Sequence, residues 1–295
     1  DVDRVLQAAQ TFSLSQNQEI LDIYPTQYAV DGEQGIREPI GMRAVRLETD
    51  IIAVCLFSPD LKNLSEAVLQ AGLEIVDVVA SPLAATTAVL SPQEKEMGVA
   101  VVELGAGTTG LSVFEEGDLK TIAVLPVGAE NITHDIAIGL RIEHDIAERI
   151  KTEFGTSSGI KGKRVEKIEL PNGETFSFSL KFVTHIIEER VKEILQLVNK
   201  ELKKLGKQGQ LPGGVVLCGG GAKLPKIAEF AKKELKLPCR VGSPRDFATI
   251  EQDPSFFSAL GLLLGAAQEE EQKEEPRKPA RAAGFLKRLF QSFIP

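Results

Sequence analysis

Residues 101–114, VVELGAGTTGLSVF, limit what this chain can fold into more than any other stretch. Val101 and Val102 lead into an acid, Glu103, and a small turn follows at Gly105, Ala106, Gly107, Thr108 and Thr109. Leu111 and Val113 then alternate with smaller residues, so the segment predicts strand, tight turn, strand. Glycines at a strand end let the backbone approach a ligand that a Cβ would hold off, and successive N–H groups can cradle phosphate oxygens. The two threonine hydroxyls would add donors, and Glu103 could orient a hydrated Mg²⁺. Taken alone, an ordinary glycine-containing hairpin is the commoner meaning of such a stretch. A second one, VVLCGGGA at 215–222, changes the balance. It predicts a buried strand over 215–218 that feeds Gly219, Gly220 and Gly221 into a helix over 223–235, and unpaired N–H groups at a helix start suit an anion or an adenosine.

Two such loops separated by a helical stretch resemble the second phosphate loop (Gly105–Thr109) and the adenosine loop (Gly219–Gly221) of the actin/Hsp70/sugar-kinase ATPase superfamily. In that superfamily a helix between them carries an acid and a lysine at i, i+3 that reach ribose and adenine. The resemblance places these at Glu148 and Lys151, on one face of a helix over 143–154. Without the resemblance, a solvated charged face is the simpler meaning.

Length and composition set the bounds. With 295 residues, 43% of them hydrophobic, the chain can bury a real core and divide into more than one domain. A net charge of −8 and the lack of tryptophan argue against a nucleic-acid surface. Cys55, Cys218 and Cys239 are odd in number and sit in apolar runs, so they are expected as reduced core residues of a cytosolic protein. His134, His144 and His185 are scattered without metal-ligand spacing. No apolar run reaches the roughly 20 residues of a membrane span, and no signal peptide is expected from the residues given. The chain opens in a helical pattern over 1–12 without an initiating methionine, so the true N-terminus is expected to be missing.

The first 80 residues predict a small α+β unit: a helix over 1–12, a strand over 20–30 interrupted by Pro25, a long connection, a strand over 45–57, a helix over 61–72 capped by Ser58 or Asp60, and a strand over 74–80. Within it, IYPTQYAVDGEQGIREPIGMRAVRLE at 23–48 resembles a segment of the bacterial cell-division FtsA family. Pro25, Tyr28, Asp31, Gly35, Ile36, Pro39, Gly41 and Met42 carry the match, and PVGAENITHDIAIGL at 126–140 continues it. The resemblance implies an α/β, actin-like (ribonuclease H-like) ATPase fold. Residues 1–80 would be the family's 1C subdomain, incomplete at its N-terminus. Residues 81–154 and 212–267 would form the ATPase core (2A and part of 1A), and 155–211 a 2B-like subdomain.

Further along, a helical stretch covers 82–97, Gly117-Asp118 makes a turn, and a strand over 120–127 leads to a helix over 131–140 capped by Asn131 or Thr133. Asn172-Gly173 marks a hairpin. Val183, Ile187, Val191, Ile194, Val198, Leu202 and Leu205 then space out a long amphipathic helix ending at Gly206. In the FtsA family the 2B region is reached by the C-terminal tail of the tubulin-like protein FtsZ. Arg190, Lys192, Lys200, Lys203 and Lys204 would suit an acidic peptide, or form only the wet face of a helix.

A strand over 239–241 and a helix over 255–267, apolar enough to be buried, end the folded part. Residues 268–283, QEEEQKEEPRKPARAA, predict a disordered, charge-extended linker. In the closing GFLKRLFQSFIP, Phe285, Leu286, Leu289, Phe290, Phe293 and Ile294 share one helical face, opposite Lys287 and Arg288. That is a short basic amphipathic helix, suited to anionic lipid or to docking back on the core. Partial burial of six large apolar side chains yields on the order of 6–10 kcal/mol, and each basic residue near anionic lipid about 1 kcal/mol. Ordering the backbone costs about 1–2 kcal/mol per residue before hydrogen bonding offsets part of it. The net is small, so one copy binds reversibly and firm attachment needs many copies.

The resemblance implies ATP and Mg²⁺ as ligands, and as partners FtsZ, other division proteins, copies of the chain in a filament, and lipid. It places them at the cytoplasmic face of the cell membrane at the division site, with weak ATPase activity at most. The chain departs from the family where Glu103 replaces an Asp, Ala106 a glycine and Gly110 an acid, and the family's first phosphate loop is absent, so weak nucleotide binding is expected. A PilM-like adaptor of type IV pilus assembly is the nearest rival reading, and an ATP-hydrolysing enzyme of the superfamily the rival of another class.

Overall fold

The computed structural model describes residues 1–12, 14–159, 162, 164–244 and 253–274, with side chains up to 268. The chain divides into one unit of Asp1–Ala80 with Ala266–Pro295 and another of Ser81–Gly265.

In the first unit, helix α1 (Val2–Ala9) is followed by β1 (Gln18–Val30), β2 (Glu33–Ile36), β3 (Leu47–Phe57) and α2 (Ser58–Gln70). The strands form an antiparallel sheet in the order β2-β1-β3. Pro25 does not interrupt β1. It sits opposite Ile51 with a bulge between Pro25 and Gln27, where a missing N–H is tolerated. The connection after Val30 contains β2, and Asp31, in the left-handed region, accepts the Val45 and Arg46 N–H groups on Oδ1 (2.9 and 2.8 Å). Neither Ser58 nor Asp60 caps α2, because the helix starts at Ser58 itself with Phe57 as its cap residue. Residues 74–80 form no strand; Val76 and Val79 are exposed, and an alternating pattern without a sheet edge to pair with does not make one. Cys55 is exposed rather than a core residue, whereas Cys218 is buried and Cys239 half-buried; all three are free thiols.

The second unit is built on a five-stranded mixed sheet, β10-β9-β4-β5-β6. Its strands are β4 (Val99–Leu104), β5 (Thr109–Glu115), β6 (Asp118–Leu125), β9 (Val215–Cys218) and β10 (Cys239–Val241). Strands β10, β9 and β4 run parallel; β5 and β6 return antiparallel. Residues 99–102 are all buried because helices cover both faces, which is why β4 reads as an unbroken apolar run. On one face lie α5 (Ala129–Leu140), α6 (His144–Phe154), α7 (Leu180–Lys204) and α8 (Ile227–Leu235). On the other, α3 (Ser81–Val89) packs on the sheet and meets the start of α9 (Phe257–Glu274, of which only the part up to Gly265 belongs to this unit), while α4 (Pro92–Met97) leads into β4. The stripe Val183, Ile187, Val191, Ile194, Val198 and Leu202 of α7 is buried, each residue worth about 1.5–3 kcal/mol. A hairpin, β7 (Val165–Glu169) and β8 (Thr175–Ser179), precedes it, with Gly173 in the left-handed region at its turn.

The last helix differs from its sequence pattern in two ways. It buries Phe257 and Leu260 but leaves Leu262 and Leu263 exposed, so only one face is covered. It also runs to Glu274, so the expected disordered linker begins as helix. The remaining linker and the amphipathic segment 284–295 lie outside the described residues.

One ionic cluster gives a pH signature. Glu94 accepts the Ser91 N–H at 2.9 Å and the Arg240 guanidinium at 2.8 Å, closing the α4 capping box and joining it to β10. Burial alone would raise its carboxyl, but the Ser91 N–H, Arg240 and the Ser91 hydroxyl together pull it down from 4.5 to about 2. A depressed folded-state value contributes stability above the unfolded value and loses it as pH falls toward 2. Glu94→Gln should therefore cost at most about 3 kcal/mol at neutral pH and flatten the stability loss between roughly pH 5 and 2. Denaturant melts across that range check this; an unchanged profile contradicts it.

Candidate functional site

Strands β4 and β9 are parallel neighbours, in register from Ala100↔Val215 to Glu103↔Cys218. Both glycine bends therefore leave the same end of the sheet, at the carboxyl ends of adjacent strands, where open α/β sheets place ligands. The first bend is closed by the Gly105 N–H donating to the Thr108 carbonyl at 3.0 Å. The N-terminus of α5 is fastened to it: Ala129 N–H donates to the Gly105 carbonyl (2.8 Å) and Glu130 N–H to the Ala106 carbonyl (2.9 Å). With those carbonyls engaged, the N–H groups of Ala106, Gly107 and Thr108 have no partner among the described residues, and all three residues are exposed. Three consecutive open donors in a bend make an anion cradle. A Cβ at Gly107 would meet nothing within 4 Å, so neither packing nor backbone conformation demands glycine there.

Thr109 does not take the role its position suggests. It is fully buried and its hydroxyl donates to the Val127 carbonyl at 2.7 Å, so it anchors β5 to the segment before α5 and offers no open donor. Thr108 stays exposed.

The second bend is also divided in purpose. A Cβ at Gly219 would lie 2.5 Å from the Leu104 carbonyl oxygen, and one at Gly221 2.3 Å from Leu104 Cγ. Both glycines are buried and serve close packing against the end of β4; Gly220 alone of the three is exposed. Nor do they open directly into a helix. A 3₁₀ turn (Gly220–Lys223) intervenes, Lys226 takes a left-handed φ of 65°, and only then does α8 start. Beside the bend, Asp253 accepts the Lys223 ammonium at 2.7 Å and the Ser255 N–H at 2.9 Å, and these hold its carboxyl at about 2.

Glu148 and Lys151 share a face of α6 and bond to each other at 2.7 Å. Thr133 of α5 donates its hydroxyl to Glu148, and Lys151 Nζ donates to Thr133 Oγ1 (2.7 Å) and the Ala129 carbonyl (3.2 Å). Burial alone would raise the Glu148 carboxyl, but Lys151 and Thr133 hold it below its ordinary value. Lys151 is only 11% exposed and is spent on the same α5 turn that holds the first bend, while Glu148 keeps 44% of its side chain exposed. Glu103, half-buried at the end of β4, accepts a hydrogen bond from the Ser258 hydroxyl of α9.

Two residues of this site, Gly128 and Ser258, are not singled out by sequence reasoning, and two others, Asn131 and Thr133, are singled out only as caps and take different roles. Gly128 brings α5 onto the first bend, since a Cβ there would lie 2.2 Å from the Ala106 carbonyl oxygen. Its signal is a glycine between a strand and a helix. Asn131 caps from inside α5 rather than at its start, accepting the Gly128 N–H at 2.9 Å. Thr133 is no cap but the buried partner of Glu148 and Lys151. Ser258 carries no sequence signal at all.

A mixed sheet covered on both faces, with two glycine bends at adjacent strand ends, is the actin-like ATPase fold. Two solved structures share it: the PilM–PilN type IV pilus biogenesis complex (TM-score 0.64, 18% identity, 90% of this chain and 71% of that one) and MreB5 of Spiroplasma citri bound to ADP (TM-score 0.61, 19% identity, 75% and 69%). The family model "Cell division protein FtsA" matches residues 100–261, more than half of the chain, and "SHS2 domain inserted in FTSA" matches residues 1–55. Among similar proteins, the cell division protein FtsA of Bacillus subtilis (strain 168) is 39% identical over 271 residues, which cover 91% of this chain. The chain belongs to the FtsA family of cell-division proteins. It spans 61% of the length of the Bacillus subtilis relative.

Proposed function

We propose that the chain is part of an actin-like scaffold of the division machinery that holds ATP at its glycine bends and ties the FtsZ ring to the cytoplasmic face of the membrane. The observation that carries this reading is the pair of bends at adjacent strand ends, the first with three open N–H groups and α5 fastened behind it. The phosphates would sit on the N–H groups of Ala106, Gly107 and Thr108, and the adenosine toward Gly220 and Glu148. Lys151 would act by holding Glu148 and α5 rather than by touching the nucleotide. Among the described residues no three His, Cys, Asp or Glu side chains group as a metal site. A Mg²⁺ at Glu103 would therefore keep its waters and share phosphate oxygens, as this ion usually does. It would supply charge neutralisation at the phosphates.

The FtsZ tail is assigned to the 2B-like region, 155–211. A groove of about 640 Å³ between α5 and α7 supports this, with exposed Ile138 and Phe182 beside His185, Lys192 and Gln196. Of the five basic residues of α7 singled out in the sequence, Arg190 is committed to Asp135 and Glu193, and Lys204 to Glu201. Lys192, Lys200 and Lys203 have no ion-pair partner among the described residues and are the ones left for an acidic peptide. Self-association into filaments would multiply the weak lipid affinity of 284–295, and later division proteins would join the same scaffold.

Among the described residues no helix is long and apolar enough to cross a membrane; the proposed attachment is through the amphipathic segment 284–295. Co-sedimentation with anionic vesicles separates a tether from a soluble ATP-turnover enzyme. The intact chain should pellet and a chain lacking 284–295 should stay in the supernatant; equal pelleting removes the tether.

A further inference from the structure

We infer that Ser258 is a positioning residue for Glu103, fixing the carboxylate through which the nucleotide's Mg²⁺ is held. This rests on the nucleotide reading of the glycine bends. Ser258 sits in the first turn of α9 and donates its hydroxyl to Glu103 Oε1. It is the one hydrogen-bond donor to the Glu103 carboxylate among the described residues, and no cation there ion-pairs with it. Oε2 is left without a partner, 3.4 Å from where a Cβ on Gly110 would lie.

The surroundings explain why the acid is here and is a glutamate. A side chain at 110 is shut out, because its Cβ would come within 2.6 Å of Pro82 Cγ. The Glu103 carboxylate lies against that position instead, and it reaches as far as α9. An ionised carboxylate free to rotate about its side-chain bonds would orient a hydrated cation poorly; one oxygen tied to a helix leaves the other in a set direction. The second support is that Ser258 cannot drift. Phe257 beside it is fully buried, and three residues on, Gly261 lies flush against the Ala84 carbonyl of α3.

The test is a titration of the full chain with a fluorescent ADP analogue, in Mg²⁺ and in EDTA. Ser258→Ala should weaken binding roughly tenfold to a hundredfold in Mg²⁺, the scale of one hydrogen bond to a charged group, and leave binding in EDTA unchanged. Ser258→Thr, which keeps the hydroxyl, should restore the Mg²⁺-dependent affinity. Equal weakening in both conditions, or none in either, overturns the positioning role while the nucleotide reading stands. An unsubstituted chain that binds no nucleotide in either condition overturns both.

Discussion

Gly128→Ala is expected to unseat α5 from the first glycine bend and to lower the melting temperature by roughly 6–12 °C. Its φ of −152° suits any residue, so the effect is all contact. The new Cβ would lie 2.2 Å from the Ala106 carbonyl oxygen and 2.8 Å from that of Gly105, both backbone atoms that cannot swing aside. The helix start must retreat, and the Ala129–Gly105, Glu130–Ala106 and Gly128–Asn131 hydrogen bonds go with it. At about 1 kcal/mol each the loss is about 3 kcal/mol. The bend would also lose its shape, so nucleotide affinity should fall with stability. Gly107→Ala is the control: it meets open space and should leave the melting temperature unchanged. Differential scanning calorimetry of the two variants decides the point, and a wild-type melting curve for Gly128→Ala contradicts the docking.

Gly261→Ala tests the other face of the sheet, and here the sign itself is informative. In a helix interior alanine is favoured over glycine by about 1 kcal/mol, so a soft contact would make the substitution stabilising. The contact is not soft: the added Cβ would fall 1.7 Å from the Ala84 carbonyl oxygen and 2.5 Å from its carbon. The two helices must move apart, loosening buried Phe257 and Leu260 and pulling Ser258 from Glu103. Overpacking of this kind costs about 1–3 kcal/mol or more, and with the loosened burial the net should be about 2–4 kcal/mol destabilising. Chemical denaturation measures it; a variant more stable than wild type contradicts the close approach.

Much of this fold is legible in the residues. The apolar run of β4 and the stripe from Val183 to Leu202 carry burial in their periodicity, and both glycine bends lie where turn chemistry places them. What periodicity cannot show is which neighbour a residue meets. Gly219 and Gly221 look like ligand glycines, yet Leu104, 115 and 117 positions earlier in the chain, is what requires them. Thr109 looks like an open donor until β5 turns it toward Val127. Residues 74–80 alternate as a strand would, and find no edge. The charged run after 267 reads as linker, but the hydrogen-bond ladder of α9 continues through Glu274. Ser258 is invisible for the same reason: a serine in an apolar helix signifies nothing until a carboxylate lies beside it.

Under the proposed function the two bends grip one nucleotide between them. Amide hydrogen exchange of the full chain, with and without saturating MgATP, tests it most directly. Protection should rise together at residues 105–109 and 219–221 and at the first turn of α5 (Ala129–Leu140), with little change in the hairpin of Val165–Glu169 and Thr175–Ser179. Unchanged exchange at both bends under saturation, or protection at one bend alone, would contradict it.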